Sequence, residues 1–302
     1  MTMPAVVLDP PPTYSHVTVM RGEVVRALNP RGGQLFVDCT LGGGGHTEAL
    51  LEAAEDVRVI GFDCDPAAID AAGERLARFG DRVSFVRSTF EELEPRLRDR
   101  GISRIDGLVA DLGVSSPQID DPDRGLSFRS EGPIDMRMDP EGEQTALDLI
   151  AGLTQDKLAD VIYQLGDERR SRRIARCIKQ ALAAGELTTT LDLRRAVVRA
   201  VGPRRVGNID PATRTFQALR IAVNRELDQL EQLLGAAAEM VCPGGTAVFI
   251  SFHSLEDRMV KRAFQQRELW RRLTPKPQVP SEHEQANNPR SRSAKLRAAT
   301  RV

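Results

Sequence analysis

The sequence predicts an α/β fold: a parallel sheet with helices on both faces, interrupted by an all-helical insertion. Three observations predict it. Between residues 34 and 111, short apolar runs alternate with stretches of helical spacing. From about 120 to 212 the strand-like runs stop and only helical spacing remains. At 246–252 a strong apolar run returns, so the sheet resumes after the interruption. Alternating strands and helices build βαβ units and hence a parallel sheet.

The elements follow in order. Q-L-F-V-D-C at 34–39 is a buried strand, bounded by Gly32-Gly33 and by a glycine loop. Residues 47–54 form a helix with alanine and leucine on one face. V-R-V-I-G-F-D at 57–63 is the second strand. Asp65 and Pro66 then open a helix through Leu76, the first as cap and the second fitting the first turn. R-V-S-F-V at 82–86 and I-D-G-L-V-A-D at 105–111 are the third and fourth strands. Residues 116–145 are rich in Asp, Pro, Gly, Arg and Ser and read as a long loop. Two helical stripes follow, Leu158, Val161, Ile162, Leu165 and Ile174, Cys177, Ile178, Leu182. Residues 213–234 read as one long helix with Phe216, Leu219, Val223, Leu227 and Leu230 on its core face. Residues 274–293 read as a loop. The organisation is a loose tail over 1–15, a first part of the α/β domain over 16–119, the helical insertion over 120–212 and a second part with a basic tail over 213–302.

The loop D-C-T-L-G-G-G-G-H at 38–46 leaves the first strand and opens the first helix. Glycines let a ligand approach the backbone, and a helix N-terminus favours an anionic group. Asp63 closes the second strand about twenty residues on, where a carboxylate accepts both hydroxyls of an adenosine ribose. A dinucleotide fingerprint needs a third glycine at 47 or 48, but Thr47 and Glu48 stand there. No G-K-[ST] follows, which excludes a P-loop. The remaining pattern suits S-adenosylmethionine. Phe90, after the third strand, has two even readings, packing or contact with adenine.

D-L-G-V-S-S-P-Q at 111–118 follows the fourth strand and supplies a carboxylate, two hydroxyls and an amide. The Asn/Asp-Pro-Pro-aromatic motif of many amino-group methyltransferases is absent there. Turn chemistry is the plain alternative for Ser115 and Ser116. His253 follows the late strand and could face a substrate, while Ser254 and Asp257 could cap the next helix. No Ser-His-Asp or Cys-His triad can be ordered from these residues.

Composition narrows the classes. With 41% hydrophobic and 28% charged residues the chain has a core and is not disordered as a whole. No run approaches the roughly eighteen apolar residues of a membrane span. The start lacks a secretory pattern. The four cysteines, Cys39, Cys64, Cys177 and Cys242, form no CxxC pair, and there are only four histidines, so neither a disulfide framework nor a metal site is expected. A reducing, cytoplasmic setting fits. The net charge of −1 hides a segregation: −15 over 1–168, +11 over 169–225, −5 over 226–260 and +8 over 261–302. Two basic blocks on an acidic protein suit a polyanion such as RNA.

Several strings together carry a family resemblance. They are H-V-T-V-M at 16–20, T-L-G-G-G-G-H-T at 40–47, D-L-G-V-S-S-P-Q at 111–118, R-G-L-S-F at 124–128, G-P-I-D-M-R-M-D at 132–139, P-A-T-R-T-F-Q-A-L-R-I-A-V-N at 211–224, I-S-F-H-S-L-E-D at 250–257 and N-P-R at 288–290. The chain resembles the bacterial 16S ribosomal RNA cytosine-N4 methyltransferases (RsmH or MraW) over roughly residues 16–300. Cys64 departs from the arginine usual in that family, and the first ten residues match nothing. The resemblance implies a Rossmann-like methyltransferase sheet with an inserted helical domain. It implies S-adenosylmethionine held by Gly44, Gly45, His46, Asp63, Phe90, Asp111 and Gln118. It implies a target cytosine in the decoding region of 16S rRNA in the small ribosomal subunit. Composition gives the expectation of no membrane and no metal partner, and a homodimer is left open. Asp111 is the candidate acceptor for the amine, with the backbone at 115–117, Ser115, Ser116, Asp139 and His253 as further candidates. A methyltransferase for small molecules or proteins, and an assembly factor whose methylation is incidental, are the competing readings.

Overall fold

The computed structural model describes residues 17–203 and 210–302. The expected tail over 1–15 lies outside them, as do His16, Arg204 and Arg205. Strands β1 (Leu35–Asp38), β2 (Arg58–Asp63), β3 (Val83–Arg87), β4 (Ile105–Asp111), β5 (Val241–Ser251), β6 (Trp270–Arg272) and β7 (Lys295–Arg301) form one sheet in the order β3-β2-β1-β4-β5-β7-β6. The first five pair in parallel, and β7 runs antiparallel to both β5 and β6.

Successive strand residues point to opposite faces, and here both faces are apolar. Val37, Ile60, Leu108 and Ala247 join one core, and Phe36, Val59, Val109 and Val248 the other. Burial on both sides is why these segments read as continuous apolar runs. Helices α1 (Arg21–Leu28), α2 (Gly45–Ala53) and α3 (Pro66–Leu76) supply Leu28, Leu50 and Leu76 to the second core. Helix α4 (Leu93–Asp99) supplies Leu93 and Leu97 to the first. Asp65 caps α3 as expected, its Oδ1 accepting from the Ala67 amide at 3.1 Å. A short helix, α5 (Ser116–Asp120), follows β4.

Between β4 and β5 in the chain lie α6 (Ala146–Gly152), α7 (Gln155–Gly166), α8 (Ser171–Ala183), α9 (Thr190–Val201) and α10 (Thr213–Val223). They share a third core, which includes Ile150, Ile162, Ile174, Ile178 and Leu219 and takes in Ile134 and Met136 from the long loop. Two expectations change here. The single helix over 213–234 is two: Arg225 takes a left-handed φ of 49° and divides α10 from α11 (Glu226–Met240). The periodicity runs through the break, but the partners differ. Phe216 and Leu219 pack in the helical lobe, whereas Leu230 and Leu233 pack on the sheet. The helical core therefore includes α10, one helix beyond the boundary at 212.

The basic tail is the second correction of scale. After α12 (Ser254–Ala263), β7 fills an interior position between β5 and β6, and α13 (Glu282–Asn287) lies within the expected loop over 274–293. The arginines of β7 make β7 look like a tail. Yet the Arg297 side chain is 8% exposed and pairs with Asp257 at 2.7 Å, and Arg301 Nε donates to the Ala238 carbonyl at 2.9 Å. These cations are consumed internally, so the charge of the last block overstates what it offers a polyanion.

Candidate active site

The strand order reverses between β1 and β4, and at such a switch point the loops beyond the carboxyl ends diverge and leave a crevice. A cavity of about 500 Å³ opens there. Gly42, Gly45 and His46 line it after β1, Asp63 at the end of β2, Phe90 after β3, and Asp111, Ser115, Ser116 and Gln118 after β4. Across from them stand Met138, Asp139, Arg220, Asn224 and Glu226, with Phe252 and Glu256 beyond β5.

The glycines divide their roles. Gly44 has φ 77°, and a side chain on it would meet Leu76 at 2.9 Å, so it shapes the turn against α3 and does not line the cavity. Gly45 opens α2. A Cβ there would fall 1.7 Å from Thr18 Oγ1, so the wall admits no side chain. Asp38 is fully buried beneath the loop. It accepts from Thr47 Oγ1 at 2.8 Å and from the Thr40 amide at 3.2 Å. Burial raises its carboxyl above the usual range, opposed by His46.

Asp63 accepts from the Gly42 amide at 2.8 Å and from the Asp65 amide at 2.9 Å, which fixes its carboxylate at the loop mouth. Burial dominates its environment and pushes its pKa up to about 6. The Asp111 amide donates to Thr40 Oγ1 at 2.6 Å, which ties β4 to the glycine loop. Its carboxylate lies 3.6 Å from His46 Nε2.

The remaining candidates separate. Ser115 and Gln118 form a capping box at the start of α5: Ser115 Oγ accepts from the Gln118 amide, and Gln118 Oε1 accepts from the Ser115 amide at 3.0 Å. Turn chemistry therefore occupies the Ser115 hydroxyl, while Ser116 lines the cavity. Asp139 lines it as well and accepts from Arg87 Nη2 at 2.9 Å. Phe90 packs against the first core and borders the cavity. His253 is not brought to the cavity. It caps α12, its Nδ1 accepting from the Glu256 amide at 3.4 Å, so it does not face a substrate. An imidazole capping its own helix looks, in sequence, like one aimed outward.

Sequence reasoning missed the braces. Arg124 Nη1 donates to Asp65 Oδ2 at 2.7 Å, and Gln118 Nε2 donates to the same oxygen at 2.8 Å. Arg124 Nη2 also donates to the Arg137 and Met138 carbonyls. Asn224 accepts from the Met138 amide at 2.7 Å and donates to the Met136 carbonyl at 2.8 Å. Arg220 clasps Glu226 through Nε at 2.7 Å and Nη2 at 2.8 Å. Apart from Arg220 and Glu226, which are six residues apart, the partners are far apart in sequence, and the strings R-G-L-S-F and A-V-N were visible only as part of a pattern. Among the described residues, one group brings metal-type ligand atoms within 4.8 Å of one another: Glu226, His253 and Glu256. Arg220 already holds both Glu226 oxygens, and His253 and Glu256 are engaged in the α12 cap.

A test of ligand fit comes from unsatisfied atoms. Both ring nitrogens of buried His46 and Oδ1 of Asp111 have no hydrogen-bond partner, and both residues line the cavity. Buried polar atoms are rarely left unpaired. Beside the side-chain-free wall at Gly45 they fit a small ligand carrying hydrogen-bond donors, as the ammonium and hydroxyl groups of S-adenosylmethionine would be.

A doubly wound sheet with a glycine loop, an acid closing β2 and a cavity at the switch point defines an α/β enzyme of the nucleoside-binding class. The chain belongs to the MraW methylase family, whose profile matches residues 13–302. It is 59% identical over 299 residues to the ribosomal RNA small subunit methyltransferase H of Sorangium cellulosum, covering 98% of this chain and 95% of that one. The protein of the same name from Synechococcus elongatus is 50% identical, with 97% and 96% covered. Among solved structures, an rRNA methylase from Streptococcus thermophilus matches at a TM-score of 0.44 and 10% identity, covering 93% of each chain. The chain is thus a methyltransferase.

Proposed function

We propose that this protein methylates the exocyclic N4 amine of one cytosine in the decoding region of 16S rRNA, in the cytoplasm, with S-adenosylmethionine as donor. One observation carries the reading: a single cavity gathers Gly42 and Gly45 of the loop, Asp63 and Asp111 in a chain 59% identical to a protein named for small-subunit rRNA methylation.

When bound, S-adenosylmethionine supplies an activated methyl group on a sulfonium. The residues do the rest. Gly45, His46 and the α2 N-terminus receive the methionine end, Asp63 the ribose hydroxyls, Phe90 the adenine, with Gly44 shaping the loop and Gln118 completing the wall. The cytosine amine is a poor nucleophile because its lone pair is shared with the ring. Asp111 accepts its hydrogens and lets the nitrogen pyramidalise, with Asp139 as the second choice. In-line placement at about 3 Å supplies much of the acceleration. The base has to leave its stack to enter such a cavity, as in other enzymes that act on bases. The helical lobe binds the RNA: Arg169 and Arg170 before α8 and Arg172, Arg173 and Arg176 on it are exposed, and phosphate contacts of this kind weaken with salt.

The test is labelled methyl transfer to small subunits lacking their modifications, with mass mapping of the product. A single N4-methylated cytosine is the expected result. Transfer to free nucleosides at the same rate, or to another atom, would overturn the reading.

Asp63 adds a pH prediction. Its free carboxyl binds a proton near pH 6, and a neutral carboxyl accepts fewer hydrogen bonds from the ribose. Donor binding therefore favours the ionised form. Affinity is expected to be flat above pH 6 and to fall by up to about tenfold per unit below it. Calorimetric titration across that range checks this, with Asp63→Asn expected to bind weakly and without the pH step.

A further inference from the structure

Methyl transfer to an amine leaves a proton to be placed, and the cavity holds two candidates in series. Asp111 ends β4, and His46 sits in the first turn of α2, with Nε2 3.6 Å from Asp111 Oδ2. The His46 side chain is only 4% exposed, yet neither ring nitrogen has a hydrogen-bond partner. A buried imidazole without partners is costly unless something binds to it during the working cycle. The helix N-terminus opposes a positive charge on this ring. Two carboxyl groups offset it: Asp111 from β4, and Asp38 from β1, whose charge interacts with that of His46. Asp63 at the end of β2 and the Cys39 thiol after β1 are the other titratable groups near Asp38. Burial raises the thiol, which keeps it protonated and neutral.

Resting on the methyltransferase reading above, we propose that His46 takes, through Asp111, the proton that the acceptor amine loses on methylation. The amine nitrogen bonds to the methyl carbon as the carbon–sulfur bond breaks, the electron pair staying on sulfur. The nitrogen then carries one proton more than the neutral product. That proton passes to the Asp111 carboxylate and from it to His46 Nε2, giving an imidazolium between Asp38 and Asp111. Release of product exposes the cavity to water, which takes the proton and resets the pair. His46 acts through Asp111, so it positions and drains the proton without touching the amine.

The experiment compares wild type with His46→Gln and His46→Ala in single turnovers on unmodified small subunits, with donor prebound, across pH. Donor affinity is measured separately by calorimetry and folding by thermal melting. In wild type the rate is expected to fall as pH drops through one ionisation. In His46→Gln the rate at saturating, prebound donor falls by about tenfold or more, of the order of a lost general base, and that ionisation vanishes, beyond whatever donor affinity is lost with the contact to the methionine end. Added imidazole restores His46→Ala. An unchanged pH profile in the variants, or a rate loss matched by lost donor affinity with no imidazole rescue, overturns the relay and leaves the methyltransferase reading in place. A wild-type product that is not an exocyclic amine overturns both.

Discussion

Asp111→Asn is expected to lower the rate of methyl transfer by about 10²–10³, within the range for loss of a positioned proton acceptor, with donor affinity reduced far less. The asparagine keeps the shape and one acceptor oxygen, and the Asp111 amide bond to Thr40 at 2.6 Å does not depend on the side chain. What disappears is the anion. An amide cannot take the proton from a methylated amine, and its NH₂ would meet the acceptor amine donor to donor. The measurement is single-turnover transfer at saturating donor, beside a calorimetric donor titration. Full turnover with unchanged donor affinity would remove Asp111 from the chemistry and leave Asp139, anchored by Arg87, as the next carboxylate to test. A loss confined to donor affinity would reduce Asp111 to a binding residue.

The donor half of this site was legible because its signals are local. A glycine loop, a helix start and an acid about twenty residues on occupy one βαβ unit, and the physics linking them acts within that unit. Four of the five parallel strands, β1, β2, β4 and β5, were legible for a related reason: burial on both faces writes a continuous apolar run, whereas the edge strand β3 was legible from its position after a helix. The acceptor half was not. Arg124 and Asn224 act through partners far along the chain, and nothing beside either of them marks it as partly buried. β7 was hidden by its own arginines, since a strand whose cations are neutralised by Asp257 and by carbonyls shows the composition of a tail. His253 was overread because a cap and a catalytic imidazole share one sequence context. The break at Arg225 escaped because helical spacing continues across it while the packing partner changes.

Arg124→Met is expected to cost roughly 3 kcal/mol of stability, the lower end for breaking a buried ion pair. Asp65 is 3% exposed, and Arg124 is the only cation paired with it among the described residues. The carboxylate would keep Gln118 and the Ala67 amide, which is why the lower end applies. Lysine is no substitute, because one ammonium cannot reach Asp65 and two carbonyls with the geometry of a guanidinium. If the charge is the cause, Asp65→Asn in the Arg124→Met background recovers part of the loss, a coupling of about 1–3 kcal/mol in a double-mutant cycle read from denaturant melts. Strictly additive losses would show that Arg124 acts by packing alone. The functional consequence follows from the same bonds. Arg124 fixes Gln118 through Asp65 and fixes Arg137 and Met138 through their carbonyls, so it joins the donor wall to the acceptor wall of one cavity. The variant, assayed at a temperature where it remains folded, should therefore lose affinity for donor and rate of transfer together. Asp139, adjacent to Met138, should shift with it, while Asn224 still holds the Met138 amide from the other side.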